Sequence, residues 1–335
     1  MYKLYSATIE LTRKCNARCK HCIIDALYEK ENELSTDRII RLLEEISDEG
    51  CTTVVLTGGE AFLRKEWPLF VQKATALNMQ IVMMTNGLKI DDEIIKILKM
   101  YNVSLGISLD GATAETHDKI RGVKGIFDNF TKVMQKLKKA GIYVGIATTV
   151  MKSNFNELDK IRDLLIKLKA DSWQLQIVKP SERLQDDEIL TEEQYYQLAE
   201  KIVEYRKKYN KKMEIVEADC IGYNSTLTPF LSIQEWRGCE CGIYSVSIES
   251  DGNIKGCPNM NNSEGNITDR PFKEIWQDHN AFAYNRQPHK KELLGYCNEC
   301  EHKFVCRGGC PTNPTTKDRR NTYCLHKIET VGSDK

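Results

Sequence analysis

The chain has 335 residues, 41% of them apolar, which is enough for a large core or for two domains. Its 48 lysines and arginines balance 48 aspartates and glutamates. This zero net charge excludes a global field that would attract nucleic acid or an anionic membrane. The sequence has no apolar run of about 18 residues and no secretory signal pattern. We therefore expect a cytoplasmic protein without nucleic-acid or membrane partners.

Short β-like segments alternate with amphipathic helical segments through the first half of the chain. The segments rich in Val, Ile, Leu and Thr predict strands buried on both faces, at Ser6–Thr12, Thr53–Thr57, Gln80–Thr85, Ser104–Leu109, Tyr143–Val150 and Trp173–Val178. Helices are predicted from a cap at Ser35 to Glu49, and at Asp92–Met100, Ile126–Ala140 and Phe155–Lys169. These β/α units predict an α/β fold, a partial (β/α)6 TIM-like barrel with its chemistry at the C-terminal strand ends.

The second half divides into a bridge and a cysteine-rich region. A charged helix is predicted over Thr191–Lys212, followed by residues without a strong period. The last hundred residues hold a hairpin-like stretch at Ser245–Lys255 and a short helix at Pro271–Trp276. So small a core needs metal ligands for stability. We predict a barrel over residues 1–185, a helical bridge over 186–234 and a metal-stabilised domain over 235–335.

Most of the thirteen cysteines fall into two clusters. In a chain without an export signal, clustered cysteines are typical of metal sites rather than disulfides. Cys15, Cys19 and Cys22 follow the first predicted strand. Three thiolates at this spacing suit a cubane iron–sulfur cluster and leave one iron open for a substrate or cofactor. On spacing alone, a zinc site completed by His21 remains an alternative.

The C-terminal region contains eight cysteines, which provide enough thiolates for two metal sites with four ligands each. They are Cys239, Cys241, Cys257, Cys297, Cys300, Cys306, Cys310 and Cys324. The Cys297-x2-Cys300 pair alone is equally consistent with a zinc ribbon. Between the two clusters, Cys51 is predicted to be a buried core residue, and Cys220 lies in the bridge.

The first cluster resembles the motif of the radical S-adenosylmethionine (SAM) superfamily, whose three cysteines hold a [4Fe–4S] cluster. Further along the chain, the ends of strands two to four also carry residues similar to the superfamily's SAM-binding positions. The resemblance implies cofactor contacts at Gly58, Gly59, Glu60, Asn86, Ser108, Asp110 and Arg121. Glu60 and the two glycines would hold the SAM amino group, and Arg121 the SAM carboxylate. His21, where relatives commonly have an aromatic residue, would lie near the adenine.

The same resemblance implies an enzyme that cleaves SAM reductively. The product is a 5′-deoxyadenosyl radical that abstracts a hydrogen atom from an unactivated C–H bond. We expect an electron donor of the flavodoxin or ferredoxin type.

The C-terminal array resembles the SPASM domain, which follows radical SAM barrels in peptide- and protein-modifying enzymes and carries two auxiliary iron–sulfur clusters. The likeness rests on Gly252-x4-Cys257, the spacing of the later cysteines and Gly308-Gly309-Cys310-Pro311. It implies auxiliary cluster I at Cys239, Cys257 and Cys310, and cluster II at Cys297, Cys300, Cys306 and Cys324. Cys241 is either a fourth ligand of cluster I or a packed thiol, and in the second case cluster I keeps an open iron.

The SPASM resemblance favours maturation of a ribosomally made precursor peptide through a thioether or carbon–carbon cross-link, or another oxidative modification. Epimerisation is an alternative in which Cys220, unless it is an inert core thiol, donates a hydrogen atom and Asp219 anchors the peptide or accepts a proton. Formylglycine formation is weakened by Pro258, where relatives have an acidic residue. Further alternatives are a tetrapyrrole or small-molecule enzyme and a zinc-stabilised binding protein.

The first predicted strand begins within ten residues of Met1, so we expect no fused leader-binding domain. Either a separate protein captures the leader, or the barrel and bridge bind the substrate directly.

Overall fold

The computed structural model describes residues 2–184, 186–218, 221–222, 224–231, 238–287, 292–313 and 323–332. Its described residues form ten strands: β1 (Ser6–Glu10), β2 (Thr53–Thr57), β3 (Gln80–Thr85), β4 (Ser104–Ser108), β5 (Val144–Val150), β6 (Ser172–Ile177), β7 (Glu214–Glu217), β8 (Ser245–Ile248), β9 (Asn253–Lys255) and β10 (Gly265–Asn266). One sheet contains them in the order β10-β9-β8-β1-β2-β3-β4-β5-β6-β7. Neighbours from β8 to β7 are parallel, and β8-β9-β10 is an antiparallel extension.

The helices of the barrel and bridge are α1 (Thr36–Asp48), α2 (Trp67–Ala76), α3 (Asp92–Met100), α4 (Ala114–Arg121), α5 (Ile126–Ala140), α6 (Leu158–Lys167), α7 (Glu192–Tyr209) and α8 (Thr228–Leu231). Those of the C-terminal region are α9 (Phe272–Trp276), α10 (Ala283–Arg286), α11 (Tyr296–Glu299), α12 (Lys303–Cys306) and α13 (Leu325–Val331). Short 3₁₀ turns occur at Ala61–Leu63, Phe155–Glu157 and Asp186–Glu188. Within the described part of the chain, no helix is both long enough and apolar enough to cross a membrane.

Local sequence signals explain where several helices begin and end. Ser35 caps α1 by accepting a hydrogen bond from the Arg38 N–H, and Asp91 caps α3 in the same way. α5 ends at Gly141, whose φ of 77° lies in the left-handed region that glycine adopts without strain. The predicted helices over Asp92–Met100 and Ile126–Ala140 are confirmed with their bounds.

The sheet of the described residues contains ten strands, whereas the predicted barrel has six. β7 pairs in parallel with β6, with Ser172 opposite Glu214, although its residues lie in the region predicted as a helical bridge. The four residues of β7 have only one fully buried side chain, Ile215, so they give a weak sequence signal. The region over 186–234 therefore contributes a strand as well as the predicted charged helix.

The C-terminal region joins the other edge of the barrel sheet. β8 pairs in parallel with β1, with Ser6 opposite Ser245, and continues into the predicted hairpin with β9. Ion pairs from Arg13 to Glu249 and from Lys30 to Asp251 connect this hairpin to the chain around the first cysteine cluster. The hairpin thus brings the second cysteine region next to the end of β1.

Candidate active site

The three cysteines of the first cluster lie in the loop after β1, and all three are half-buried. Backbone N–H groups donate to two of the sulfurs, from Ala17 to Cys15 Sγ at 3.4 Å and from Ala26 to Cys22 Sγ at 3.3 Å. Burial raises the pKa of Cys15 to about 11 and raises that of Cys22, and the neighbouring thiols add to both shifts. Three adjacent thiols with N–H donors suit a metal group whose positive charge stabilises thiolates.

The C-terminal end of α4 holds this cysteine loop in place. The Arg18 N–H donates to the Arg121 carbonyl at 3.0 Å, and the Lys20 N–H donates to the Ile120 carbonyl at 3.0 Å. The Arg121 guanidinium also donates through Nη1 to Cys19 Sγ at 3.5 Å. Arg121 therefore contacts one cysteine of the first cluster and also lies near the expected SAM site.

The glycines after β2 permit a close backbone approach to the cysteine loop. The Gly59 N–H donates to the Thr12 carbonyl at 2.7 Å, and the Glu60 N–H donates to the Lys14 carbonyl at 2.9 Å. A Cβ on Gly59 would lie 2.5 Å from the Lys14 carbonyl oxygen, and one on Gly58 would lie 2.4 Å from the Thr12 oxygen. Glycine is therefore required at both positions for the packing of two loops, in addition to any contact with SAM.

Glu60 joins the end of β2 to the end of β3. Its buried carboxylate accepts hydrogen bonds from Thr85 Oγ1 and the Asn86 N–H, both at 2.8 Å. Burial raises the pKa of Glu60, and these hydrogen bonds oppose that shift. Asn86 in turn donates through Nδ2 to Asn16 Oδ1 at 2.8 Å, inside the cysteine loop. The sequence analysis did not identify Asn16.

Asp110 follows β4, which ends at Ser108, and is the central anion of the site. Its Oδ2 lies 2.7 Å from Arg121 Nε, and its Oδ1 accepts from the Thr149 N–H at 2.9 Å. Burial would raise the pKa of Asp110, but the Arg121 guanidinium and the nearby histidines outweigh it and lower the pKa below its usual range. The same pairing raises the pKa of Arg121 against the effect of burial. Both groups are therefore charged.

His21 lies beside the same Asp110 oxygen as Arg121, with Nε2 3.7 Å from Asp110 Oδ2. Burial lowers the pKa of His21 to about 4, so the imidazole is neutral at physiological pH. Its Nδ1 is buried without a hydrogen-bond partner among the described residues. A buried polar atom of this kind fits a site that a polar cofactor completes.

Six of the eight predicted SAM contacts lie at or directly after the carboxyl ends of strands, which meet at one edge of the sheet. The structure places Gly58, Gly59 and Glu60 after β2, Asn86 after β3, and Ser108 and Asp110 at the end of β4. Arg121 and His21 connect to this edge through Asp110. Asp219 and Cys220, the predicted epimerisation residues, lie outside the described residues.

His117 supports Asp110 from α4 and gives the site a pH dependence. Its Nδ1 accepts from the Asp110 N–H at 3.0 Å, and burial lowers its pKa from 6.5 to about 4. Below pH 6.5 the unfolded chain binds a proton at this position and the folded chain does not. The stabilisation is therefore complete above pH 6.5 and is lost as the pH falls towards 4.

We expect the wild-type free energy of unfolding to fall between pH 7.5 and pH 5.0 by about 2 kcal/mol more than that of His117→Gln. Glutamine retains a hydrogen-bond acceptor without titrating in this range. Anaerobic denaturant titrations at both pH values measure the difference. Parallel pH dependences of the two proteins would contradict this role of His117.

Four cysteines of the C-terminal region lie together as the first auxiliary set: Cys239, Cys241, Cys257 and Cys310. The Cys241 thiol is within hydrogen-bonding reach of Cys239 and Cys257, and this contact lowers the pKa of Cys239 to about 7 and lowers that of Cys257. Hydrogen bonding to the same two sulfurs raises the pKa of Cys241. Cys310 acts electrostatically on both Cys239 and Cys257. The set has four thiols, which could coordinate all irons of a cubane.

Lys179 brings a positive charge to this first auxiliary set. It follows β6, is only 6% exposed, and donates through Nζ to Cys310 Sγ at 3.8 Å and to Asn313 Oδ1. No carboxylate among the described residues forms an ion pair with it. Burial of an unpaired ammonium group is costly, so thiolates and a cluster at this position would provide its counter-charge.

We expect Lys179→Met to lower the reduction potential of auxiliary cluster I by on the order of 100 mV, because removal of a nearby positive charge favours the oxidised cluster. Lys179→Arg keeps the charge and provides the matched control. A redox titration followed by electron paramagnetic resonance measures both variants. An unchanged potential in Lys179→Met would place Cys310 outside cluster I or show that Lys179 is screened from it.

The other four cysteines form a second auxiliary set: Cys297, Cys300, Cys306 and Cys324. Burial raises the pKa of Cys306 to about 12 and that of Cys324 to about 11, and Cys297 and Cys300 add to both shifts. Cys324 caps α13, where its Sγ accepts from the Lys327 N–H at 3.4 Å. The C-terminal cysteines thus lie in two groups of four, with Cys241 beside Cys239 and Cys257 in the first auxiliary set.

Comparison with protein families gives two matches. The radical SAM superfamily matches residues 9–165, and the SPASM iron–sulfur cluster-binding domain matches residues 239–301.

Many curated relatives match the chain, including three that cover most of it. An AdoMet-dependent heme synthase of Methanosarcina barkeri is 29% identical over 95% of this chain and 95% of its own length. An Fe-coproporphyrin III synthase of the same organism is 32% identical, covering 89% of this chain and 81% of its own length. The mycofactocin maturase MftC of Mycolicibacterium smegmatis is 30% identical, covering 90% and 77%.

Solved structures share the fold at 18% sequence identity. Streptococcus suis SuiB bound to the precursor peptide SuiA superimposes with a TM-score of 0.78 and covers 98% of this chain and 76% of SuiB. Native anSMEcpe with bound AdoMet gives a TM-score of 0.73 and covers 96% and 93%. These matches confirm the predicted α/β fold with a partial barrel and a SPASM domain. The chain belongs to the radical SAM superfamily and carries a C-terminal SPASM domain.

Proposed function

We propose that this enzyme abstracts a hydrogen atom from a residue of a ribosomally made precursor peptide and leaves a cross-link or another oxidative modification. As a radical SAM/SPASM enzyme it uses a [4Fe–4S] cluster, SAM and auxiliary iron–sulfur clusters. When bound, these groups supply the 5′-deoxyadenosyl radical and an acceptor for the second electron of a two-electron oxidation.

The proposed cluster ligands are the cysteines of the first cluster and of the two auxiliary sets. Cys15, Cys19 and Cys22 hold the SAM-binding cluster, and the two auxiliary sets hold clusters I and II. Gly58, Gly59, Glu60, Asn86, Ser108, Asp110, Arg121 and His21 line the SAM site. Asp110 fixes the Arg121 guanidinium at 2.7 Å, so this group stays oriented towards the thiols and the SAM site.

The observation that carries the peptide assignment is a charged cavity beside the cysteine loop. Its volume is about 230 Å³, and its lining consists of Lys20, Arg183, Leu184 and Glu188. Arg183 acts electrostatically on Cys22, and Glu188 acts on His21, so the cavity borders the proposed site. Charges of both signs suit the amide groups and charged side chains of a peptide.

The relatives support the same assignment. A mycofactocin maturase is 30% identical over 90% of this chain, and the fold is shared with a chain that binds the precursor peptide SuiA. The four-thiol auxiliary set supports an oxidative outcome. With Cys241 as a fourth ligand, cluster I has no open iron for substrate and serves electron transfer.

Tetrapyrrole modification is the second candidate function, because a heme synthase and an Fe-coproporphyrin III synthase are also relatives over most of the chain. Lys20 and Arg183 would then pair with carboxylates of the macrocycle. The epimerisation and formylglycine alternatives have no supporting observation among the described residues.

Incubation of the reduced, cluster-loaded enzyme with SAM and each substrate class separates these functions. We expect 5′-deoxyadenosine together with a peptide that has lost two hydrogen atoms when a precursor peptide encoded near the enzyme is supplied. An unchanged peptide mass with a D-residue would indicate epimerisation instead. Turnover of Fe-coproporphyrin III without turnover of any such peptide would overturn the proposal.

A further inference from the structure

Three side chains of metal-ligating type, none of them a cysteine, meet on the surface of the C-terminal region, all within two residues of Cys300 or Cys324. They are Glu301, His302 and His326, with one ligand atom from each within 4.8 Å of the other two. Glu301 and His302 lie between α11 and α12, and His326 lies in α13. The group therefore connects two segments that are more than twenty residues apart in sequence.

The distances within this group are too long for hydrogen bonds. Glu301 Oε1 is 3.9 Å from His302 Nε2 and 3.8 Å from His326 Nε2. Hydrogen bonds between nitrogen and oxygen have lengths of about 2.7–3.2 Å. A tetrahedral zinc ion with bonds of about 2.0–2.1 Å separates its ligand atoms by about 3.3 Å. The two distances from Glu301 exceed this spacing by about half an ångström, and all three ligand atoms lie within 4.8 Å of one another.

The two imidazoles have no other polar partners among the described residues. Their rings lie 4.7 Å apart at 75° to each other, and the Tyr296 ring lies 6.2 Å from that of His326. Glu301 is 76% exposed at its side chain, so its carboxylate reaches solvent. An ion entering from solvent would find three ligands and keep a fourth position for water.

We propose that Glu301, His302 and His326 form a zinc-binding site that is separate from the iron–sulfur clusters. Two imidazoles and one carboxylate are a ligand set that divalent zinc accepts readily. Binding links α13 to the segment that contains α11 and α12. Cys300 and Cys306 lie on that segment and Cys324 caps α13, so the zinc ion would fix both parts of the second auxiliary set relative to each other.

Zinc binding to the full, cluster-loaded chain tests the proposal. Equilibrium dialysis against micromolar Zn²⁺, with zinc, iron and sulfide measured on the same sample, should show about one bound zinc ion per chain. We expect His302→Gln and His326→Gln each to weaken binding at least tenfold, and Glu301→Gln to weaken it less. Zinc should also raise the melting temperature of the wild type and not that of His302→Gln.

His279→Gln is the matched control, because His279 is an exposed histidine outside the group. It should bind zinc as the wild type does. Glu301→Gln changes only an exposed side chain, and its unchanged iron and sulfide content would show that the fold and clusters are intact. Equal zinc binding by the wild type and all three variants, or no binding by the wild type, would overturn the proposal.

Discussion

Replacement of Cys19 by alanine is expected to abolish SAM cleavage and to lower the iron content from about twelve to about eight atoms per chain. Cys15 and Cys22 alone provide two thiolates, which are too few to hold a cubane cluster. Arg121 Nη1 also loses its contact with the Cys19 sulfur, which lies 3.5 Å away. The auxiliary sets lie on other segments and should keep their iron. Quantification of 5′-deoxyadenosine under reducing conditions, with iron and sulfide analysis, measures both effects.

Cys51→Ala is the matched control for this experiment. Cys51 is 5% exposed in the main core, and its Sγ donates to the Thr53 carbonyl at 3.2 Å. It belongs neither to the first cysteine cluster nor to the two auxiliary sets. The substitution should cost some stability but leave iron content and SAM cleavage unchanged. Retention of twelve iron atoms by Cys19→Ala, or an equal loss in Cys51→Ala, would show that the cluster assignment is wrong.

The six barrel strands could be predicted because each is a short apolar segment bounded by turn residues. β2 and β3 have the predicted bounds, and the other four differ by one or two residues. The pairing of β7 with β6 and of β8 with β1 depends instead on contacts between distant segments of the chain. The pairing of Ser6 with Ser245 connects segments more than two hundred residues apart, and no local pattern encodes such a partner.

The same distinction applies to the site. The strand-end residues Gly59, Glu60 and Asp110 could be predicted because they match SAM-binding positions of the radical SAM superfamily, and parallel strands bring their carboxyl ends together. Asn16 and Lys179 were missed, since their roles depend on partners elsewhere in the chain, Asn86 for the first and Cys310 for the second. The sequence does show a lysine just after the apolar strand β6, and this position could have indicated that Lys179 belongs to a site at the strand ends.

The spacing of the cysteines does not decide whether Cys241 is a cluster ligand. With Glu240 as the single intervening residue, the sequence permits either a ligand or a packed thiol. The structure places its sulfur beside both Cys239 and Cys257. Directly after Cys241 the chain turns back at Gly242, where φ is 78° and the N–H donates to the Ser245 carbonyl.

Asp110→Asn is expected to be the most destabilising substitution in the SAM site, by about 3–5 kcal/mol. Asp110 is fully buried and Arg121 is 8% exposed, so removal of the carboxylate charge leaves a buried guanidinium without its anion. The neutral side chain still accepts from the Thr149 N–H, which limits the change to the ion pair. Since Arg121 also contacts Cys19, the variant should bind SAM more weakly than the wild type.

Asp92→Asn separates this effect from the general loss of a salt bridge. Asp92 pairs with Lys136 at 2.8 Å, but its side chain is 81% exposed, and surface pairs of this kind contribute about 0–1 kcal/mol. Anaerobic denaturant unfolding of both variants and the wild type at neutral pH measures the difference. If Asp110→Asn costs no more than Asp92→Asn, then Arg121 finds another anion in the folded protein, and the buried ion pair does not position it at the thiols.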